Sequence, residues 1–341
     1  MDTSVVSSPL TSGKAANVRM LCIVLSFNGK EDTVACLQSL LASPVSGLEI
    51  LVVDNASEYG VVEFIQAACP TVEILSLAEN CGWAGGNNVG IKVGLNRGFD
   101  WICLMNNDLV FPAGQASAWF NAISDLPACL LHPTIYYWDE PNVPQLHPGI
   151  DHASEHMPAG TWNGKILMNF AYGACLAVHR DVFNKIGLLD ERFFLQLEET
   201  DFHHRASNEG YYSACDLSIQ VFHKESRAFG GKRAPVKTYY SVRNSLLLIE
   251  KKRGSIKSKF MDLKSLYWSL SRIAGEEKGR SGTSACEFFL WMFSRSYSAR
   301  AVRAGVRDYA LRRFGKISAV SHQVLQQGNA PLARSTSRVQ P

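Results

Sequence analysis

The 341-residue chain lacks any apolar run near the roughly 18 to 20 residues that a bilayer-spanning helix needs; Leu21 to Leu25 and Phe288 to Phe293 stop far short. No transmembrane helix is expected. It lacks a C-x-x-C pair, and its nine cysteines are scattered singly and odd in number, which argues against a zinc cage or a disulfide framework. Each cysteine reads as a small buried hydrophobe. Residues 1 to 17 are mainly Ser, Thr, Gly and Ala around a lone Lys14, with no apolar h-region, so no secretory signal is read there and a cytoplasmic protein is expected. Neither G-x-x-x-x-G-K-[ST] nor G-x-G-x-x-G occurs, which excludes those two phosphate-binding loops.

What is present is an ordinary globular composition, with 46% hydrophobic and 19% charged residues, which excludes wholesale disorder, collagen and a disulfide miniprotein. The length suits about two domains, or one large domain with an appendage. A formal net charge of +3 hides an asymmetry: from Lys251 onward there are 18 Lys/Arg against 5 Asp/Glu, leaving 16 against 26 for the first 250 residues. A basic end with apolar residues interleaved suits a solvated surface, an anionic membrane face or a polyanionic substrate.

Met20 to Phe27 is a continuous apolar run ending at Asn28-Gly29, as expected of a strand buried on both faces of a parallel sheet. Glu31 to Ala42 has helical spacing, and Leu48 to Val53 repeats the strand pattern up to Asp54-Asn55. This predicts a β-α-β unit. A helix over Val61 to Ala68, a strand over Val72 to Leu77, a helix over Asn87 to Asn96 and a strand over Asp100 to Met105 follow. Residues 130 to 165 lack a clear period and read as a long surface excursion with room for short strands.

In such sheets ligands bind beyond the carboxyl ends of the strands, where Ser26, Asn28, Asp54, Asn55 and Asp108 fall. Turn-forming is the plainer role for each one. Asn80 to Gly90 carries four glycines; it is either a tight turn with a cap or a close-approach segment whose helix-terminal amides take a phosphate. Glu198, Glu199 and Asp201 place three carboxylates within four residues. With Thr200 as N-cap, Asp201 would pair with Arg205 at i,i+4, and mutual repulsion would raise a neighbouring carboxyl toward a general base's range. A solvated acidic helix start is the alternative, and His223, ending a strand from Leu217, reads alone as structural.

Taken in order, Val24-Leu-Ser-Phe-Asn28, Val53-Asp-Asn-Ala-Ser57, Asn80-Cys-Gly-Trp-Ala-Gly-Gly-Asn-Asn88, Met105-Asn-Asn-Asp108, Gly173-Ala-Cys175, Gly187 to Phe194, Glu198-Glu-Thr-Asp201 and Val221-Phe-His223 form a series. The chain from about Arg19 to Lys316 resembles the inverting family-2 glycosyltransferases of GT-A fold, especially their rhamnosyltransferase-like branch in surface polysaccharide synthesis. The resemblance implies a Rossmann-like, mostly parallel central sheet flanked by helices, followed by a C-terminal helical extension. It implies that Asp54 reads the donor base with Ser26, Asn28 and Asn55 nearby, and that Gly82, Gly86 and Asn87 pack around the nucleotide. Asn106 and Asn107 lie beside Asp108, which takes the last place of the family's D-x-D and would ligate Mg²⁺ or Mn²⁺, with His223 as a further ligand. Asn106 replaces the first Asp of that motif. Glu199 takes the place of the family's base, usually Asp, with Glu198 as its rival. Gly173, Ala174 and Asp201 fall in the acceptor and sugar region.

The expected organisation is a disordered N-terminus over 1–17, a catalytic domain over 18–250 with a nucleotide half (18–110) and an acceptor half (111–250), a basic helical extension over 251–317 and a disordered tail over 318–341. The expected donor is a nucleoside-diphosphate sugar of UDP or dTDP type, rhamnose among the candidates. The expected acceptor is a glycan or lipid-linked sugar, with no nucleic acid. Tyr239 to Asn244 and the basic helix over Ala299 to Lys316 also match the branch, and the C-terminal helices suit an anionic inner membrane face, a second subunit of a homodimer or the catalytic domain. Processive relatives add transmembrane helices and a Q-x-x-R-W element, which this chain lacks, so one sugar per encounter is expected. A sugar nucleotidyltransferase would need a Gly-rich basic loop where Ser26-Phe-Asn-Gly-Lys30 stands; a scaffold that binds without turnover is the other alternative.

Overall fold

The computed structural model describes residues 18–42, 44–124, 126–146, 160–224 and 234–326. Residues 1–17 and the chain beyond 326, expected to be disordered, lie outside them. The first half alternates as the apolar runs predict: β1 (Met20–Ser26), α1 (Lys30–Leu41), β2 (Leu48–Asp54), α2 (Val61–Ala68), β3 (Glu73–Ser76), α3 (Gly82–Asn96) and β4 (Trp101–Asn106). All of β1 is buried because helices cover both of its faces. Met20, Cys22 and Val24 pack toward α1 and α2, whereas Leu21, Ile23 and Leu25 pack toward α3.

The second half contributes β5 (Leu109–Val110), α4 (Gln115–Ile123), β6 (Leu130–Tyr137), β7 (Pro144–Leu146), β8 (Thr161–Trp162), β9 (Lys165–Met168), β10 (Cys175–His179), α5 (Arg180–Ile186), α6 (Glu198–Asn208) and β11 (Ser213–His223). Hydrogen bonding gives the order β3-β2-β1-β4-β10-β6-β11-β9-β8, with β5 on β11 and β7 on β6. Along that path only β10 and β9 run against the rest, so the sheet is mixed but mostly parallel in direction. The expected surface excursion is corrected at its start: β6 is a core strand, buried from Leu130 to Ile135 between β10 and β11. Its His and Pro conceal the strand in the sequence, because sheet neighbours bury them regardless of hydropathy.

Five helices follow: α7 (Pro235–Lys251), α8 (Ile256–Glu276), α9 (Ala285–Met292), α10 (Tyr297–Ala310) and α11 (Ala319–Gln326). Val242, Leu270, Trp291 and Val302 form a core shared by α7 to α10. The expected disordered tail gives way to α11 over its first residues, where Leu325 packs on Tyr239 and Tyr240 and Ser321 donates to Asp308 at 2.6 Å. No described helix is long and apolar enough to cross a membrane.

Candidate active site

The carboxyl ends of β1, β2 and β4 open onto a cavity of about 510 Å³. Leu25, Phe27 and Asn55 line it from the first two strands, and Asn106, Asn107 and Asp108 from the end of β4. Gly82 and Trp83 of α3, Tyr172 and His223 add further wall. The segment Phe194–Leu197, Glu199, and Lys237 with Ser241 of α7 close it. This is the strand-end location where open α/β sheets bind ligands.

Asn106 occupies the centre of a polar chain. The Trp83 indole N–H donates to Asn106 Oδ1 at 3.0 Å, and Asn106 Nδ2 lies 3.3 Å from His223 Nε2. His223 Nδ1 lies 2.6 Å from Gln145 Oε1, which holds the ring proton on Nδ1. His223 Nε2 then turns its lone pair on the Asp108 carboxylate, 3.1 Å away. A cation bound between them would reconcile that pair. An imidazole nitrogen beside a carboxylate oxygen suits a divalent ion, and no third His, Cys, Asp or Glu among the described residues completes a closed cage. The donor set therefore fits a metal whose other positions stay open to ligand oxygens.

Across the cavity the acidic cluster departs from the sequence reading. The helix starts at Glu198, not after Thr200, because Leu197 with φ 70° is the residue that precedes it. Phe194, Gln196 and Leu197 all take positive φ, of 65°, 71° and 70°, a left-handed conformation that costs side-chain-bearing residues about 1 kcal/mol or more each. The strain is held by α7. Fully buried Arg243 donates to the carbonyls of Arg192 and Phe193 at 3.0 and 2.8 Å, and the Asn244 amide reaches those of Phe193, Leu195 and Gln196 at 2.7 to 2.9 Å.

The consequence is an activated carboxylate. Burial pushes the Glu199 carboxyl up to about 7. Burial, then the neighbouring Glu199 charge, drives Glu198 well above the usual carboxylate range. Each keeps one buried carboxylate oxygen without a hydrogen-bond partner. Glu199 faces the cavity, whereas Glu198 is 3% exposed and takes no part in its wall. Asp201 turns the other way, onto Arg205 at 2.9 Å and Lys251 at 2.7 Å, and so anchors α6 to α7 without lining the cavity.

Several expected donor residues shape the cavity from behind it. Ser26 bonds Thr33, Asn28 accepts from the Glu58 amide, and Asp54 lies 3.4 Å from the Ser57 amide; none of them lines the wall. Asn55 accepts from the Cys81 amide and donates to the Gly82 carbonyl. The phosphate reading of the glycine-rich segment is corrected, because protein groups already take the first amides of α3: Gly82 donates to Asn80 Oδ1 at 2.8 Å and Trp83 to the Phe194 carbonyl at 2.7 Å. Gly82, at φ +73°, lets that carbonyl approach; a Cβ would lie 2.3 Å from it. Gly86 serves helix packing, as a Cβ there would meet Leu25 at 2.5 Å, and Asn87 is buried and donates to the Trp83 carbonyl. Gly173 admits the Trp83 ring, and Ala174 is buried behind it. Sequence reasoning missed Gln145, Lys237, Ser241 and the role of Arg243 and Asn244; a buried polar pair inside the Tyr239–Asn244 motif was the available signal.

A nucleotide-type half-sheet, a polar strand end and a buried acidic helix start share one cavity, on a fold similar to that of GT-A glycosyltransferases. Residues 21–187 match the family model described as glycosyl transferase family 2, so the chain carries a domain of that family. It is 27% identical over 227 residues to the N-acetylglucosaminyl-diphospho-decaprenol L-rhamnosyltransferase of Mycobacterium tuberculosis, covering 59% of this chain and 73% of the relative. It is 23% identical over 254 residues to the dTDP-rhamnosyl transferase of Shigella flexneri, covering 69% and 81%. In fold it is similar to the mannosyltransferase of Pyrobaculum calidifontis in complex with GDP-Man and Mn²⁺, at a TM-score of 0.51 and 13% identity over 91% of this chain and 79% of that one.

Proposed function

We propose that this enzyme transfers a single sugar, rhamnose being the leading candidate, with inversion from a UDP- or dTDP-type donor to a glycan or lipid-linked acceptor of surface polysaccharide synthesis. The observation that carries the reading is the half-buried Glu199 carboxyl, pushed up to about 7 and facing the same cavity as Asp108 and His223. The names of the two rhamnosyl-transferring relatives support the sugar and the acceptor class.

Inversion requires an acceptor hydroxyl to attack the anomeric carbon from the side opposite the departing diphosphate. Glu199 takes the hydroxyl proton as the new C–O bond forms and the bond to the diphosphate oxygen breaks. A carboxyl near 7 is matched to that task at neutral pH, while buried Glu198 keeps its proton and spares Glu199 a neighbouring charge. Asp108 and His223 would hold Mg²⁺ or Mn²⁺, which when bound neutralises charge on the leaving group. Asn106 fixes the His223 ring, and Lys237 adds a cation to the cavity wall.

The test is release of nucleoside diphosphate from a donor panel, with and without Mn²⁺, using an isoprenoid-diphosphate-linked acceptor. Release with dTDP-rhamnose that depends on acceptor and metal supports the reading. Turnover of another donor alone overturns the sugar assignment, and metal-independent turnover overturns the role of Asp108.

A further inference from the structure

The helices beyond Lys251 leave a face that neither the catalytic cavity nor the helical core uses. Successive residues of α8 rotate by 100°, which brings Lys257, Phe260, Met261, Lys264, Trp268 and Arg272 onto one stripe. The stripe points away from the core, which α8 meets through Leu270 and Ala274. Phe260 is 64% exposed, Met261 50% and Trp268 57%. At α9, Phe289, Leu290 and Phe293 are 64%, 70% and 70% exposed. Phe289 and Phe293, the latter just beyond α9, stack edge to face 5.0 Å apart.

We infer that this face docks on an anionic phospholipid surface, with α8 and α9 lying in the headgroup plane. An exposed stripe of alternating aromatic and cationic residues is what an interfacial helix requires: rings enter the acyl boundary while Lys and Arg reach up to phosphates. The charge matches the occupant, since the chain from Lys251 carries 18 Lys/Arg against 5 Asp/Glu. A second copy of the chain fits poorly. On a two-fold interface the patch would meet its own copy, setting Lys257, Lys264 and Arg272 against cations of the same patch, and charged residues are depleted at interface centres. No described helix is long and apolar enough for the alternative of spanning the bilayer.

The inference is independent of the glycosyl-transfer reading, because its test uses neither donor nor acceptor. The full-length protein is mixed with phosphatidylcholine vesicles containing 0 or 30% phosphatidylglycerol, and the bound fraction is measured by flotation at low and high salt. Binding to the anionic vesicles that high salt weakens is expected, with at least tenfold less on neutral ones. Each surface cation contributes about fivefold in affinity, so Lys257→Gln/Lys264→Gln/Arg272→Gln should lose about two orders of magnitude. Trp268→Ser/Phe289→Ser/Phe293→Ser should lose binding that high salt alone does not remove. All six side chains are solvent-facing, so unchanged circular dichroism and melting temperature are expected. Equal binding to both vesicle types, no binding to either, or a dimer in sedimentation velocity that these substitutions dissociate would each overturn the proposal.

Discussion

The two sides of the cavity differ in how their polar groups are satisfied. On the strand-end side the Asn55, Asn106 and Asn107 amides are hydrogen-bonded to protein groups, although Asn28 and Ala56, just beyond β1 and β2, take positive φ of 59° and 61°. On the opposite side the backbone from Phe194 to Leu197 is strained, and two glutamates keep buried oxygens without partners. Both sides thus hold residues at positive φ, and what sets the acid side apart is a pair of buried, unpartnered carboxylate oxygens following a segment whose carbonyls α7 clamps. Strain and an unsatisfied carboxylate are stable only when neighbouring structure over-determines them.

Breaking the acid side should therefore cost the most activity and the least fold. Glu199→Gln should lower kcat by about 10³-fold, the scale of losing a general base, while leaving donor affinity within about twofold. It should also alter stability with pH in a defined direction. Glu199 ionises near 7 in the folded protein but at an ordinary carboxylate value when unfolded, so the wild type loses stability as pH rises between them. The variant escapes that loss. Its melting temperature should match the wild type near pH 4 and exceed it at pH 8.

Removing the clamp should damage both properties. Arg243→Ala deletes hydrogen bonds to the carbonyls of Arg192, Phe193 and Gly315, and it should cost about 3 kcal/mol of stability and about 10²-fold in kcat. Arg243→Lys should not rescue it, since a single ammonium cannot reproduce the planar fork. Urea unfolding and steady-state kinetics read the two effects.

On the strand-end side the expected losses are smaller and fall on binding. Asp108→Asn should weaken donor binding in Mn²⁺ about tenfold in calorimetry, the worth of one charge-assisted contact of about 1.4 kcal/mol. Gly86→Ala should cost about 1–3 kcal/mol of stability through overpacking against Leu25, with donor affinity unchanged. A selective loss of donor affinity in that variant would restore Gly86 to the binding site.

The same contrast explains what could be read from the sequence. The parallel half was legible because its strands are continuous apolar runs with a polar stop, and period alone locates Asn55 and Asp108. The strand β6 was not, since its His132 and Pro133 carry no apolar signal although neighbouring strands bury them. The glycines of α3 were visible as a cluster, but whether each one faces a phosphate, a strand or a carbonyl is a property of packing, as Gly82 and Gly86 show. Glu199 was singled out as a carboxylate. Its separation from Glu198 and Asp201 depends on where the helix begins, and that is set by Leu197 and by hydrogen bonds from Arg243 and Asn244, some fifty residues away in sequence.

The most direct test is the pH dependence of kcat for the wild type and Glu199→Gln with one donor and acceptor. Wild-type activity should rise through a single ionisation near pH 7, and the residual activity of the variant should be flat across that range. The same inflection persisting in the variant would mean that another group accepts the acceptor's proton.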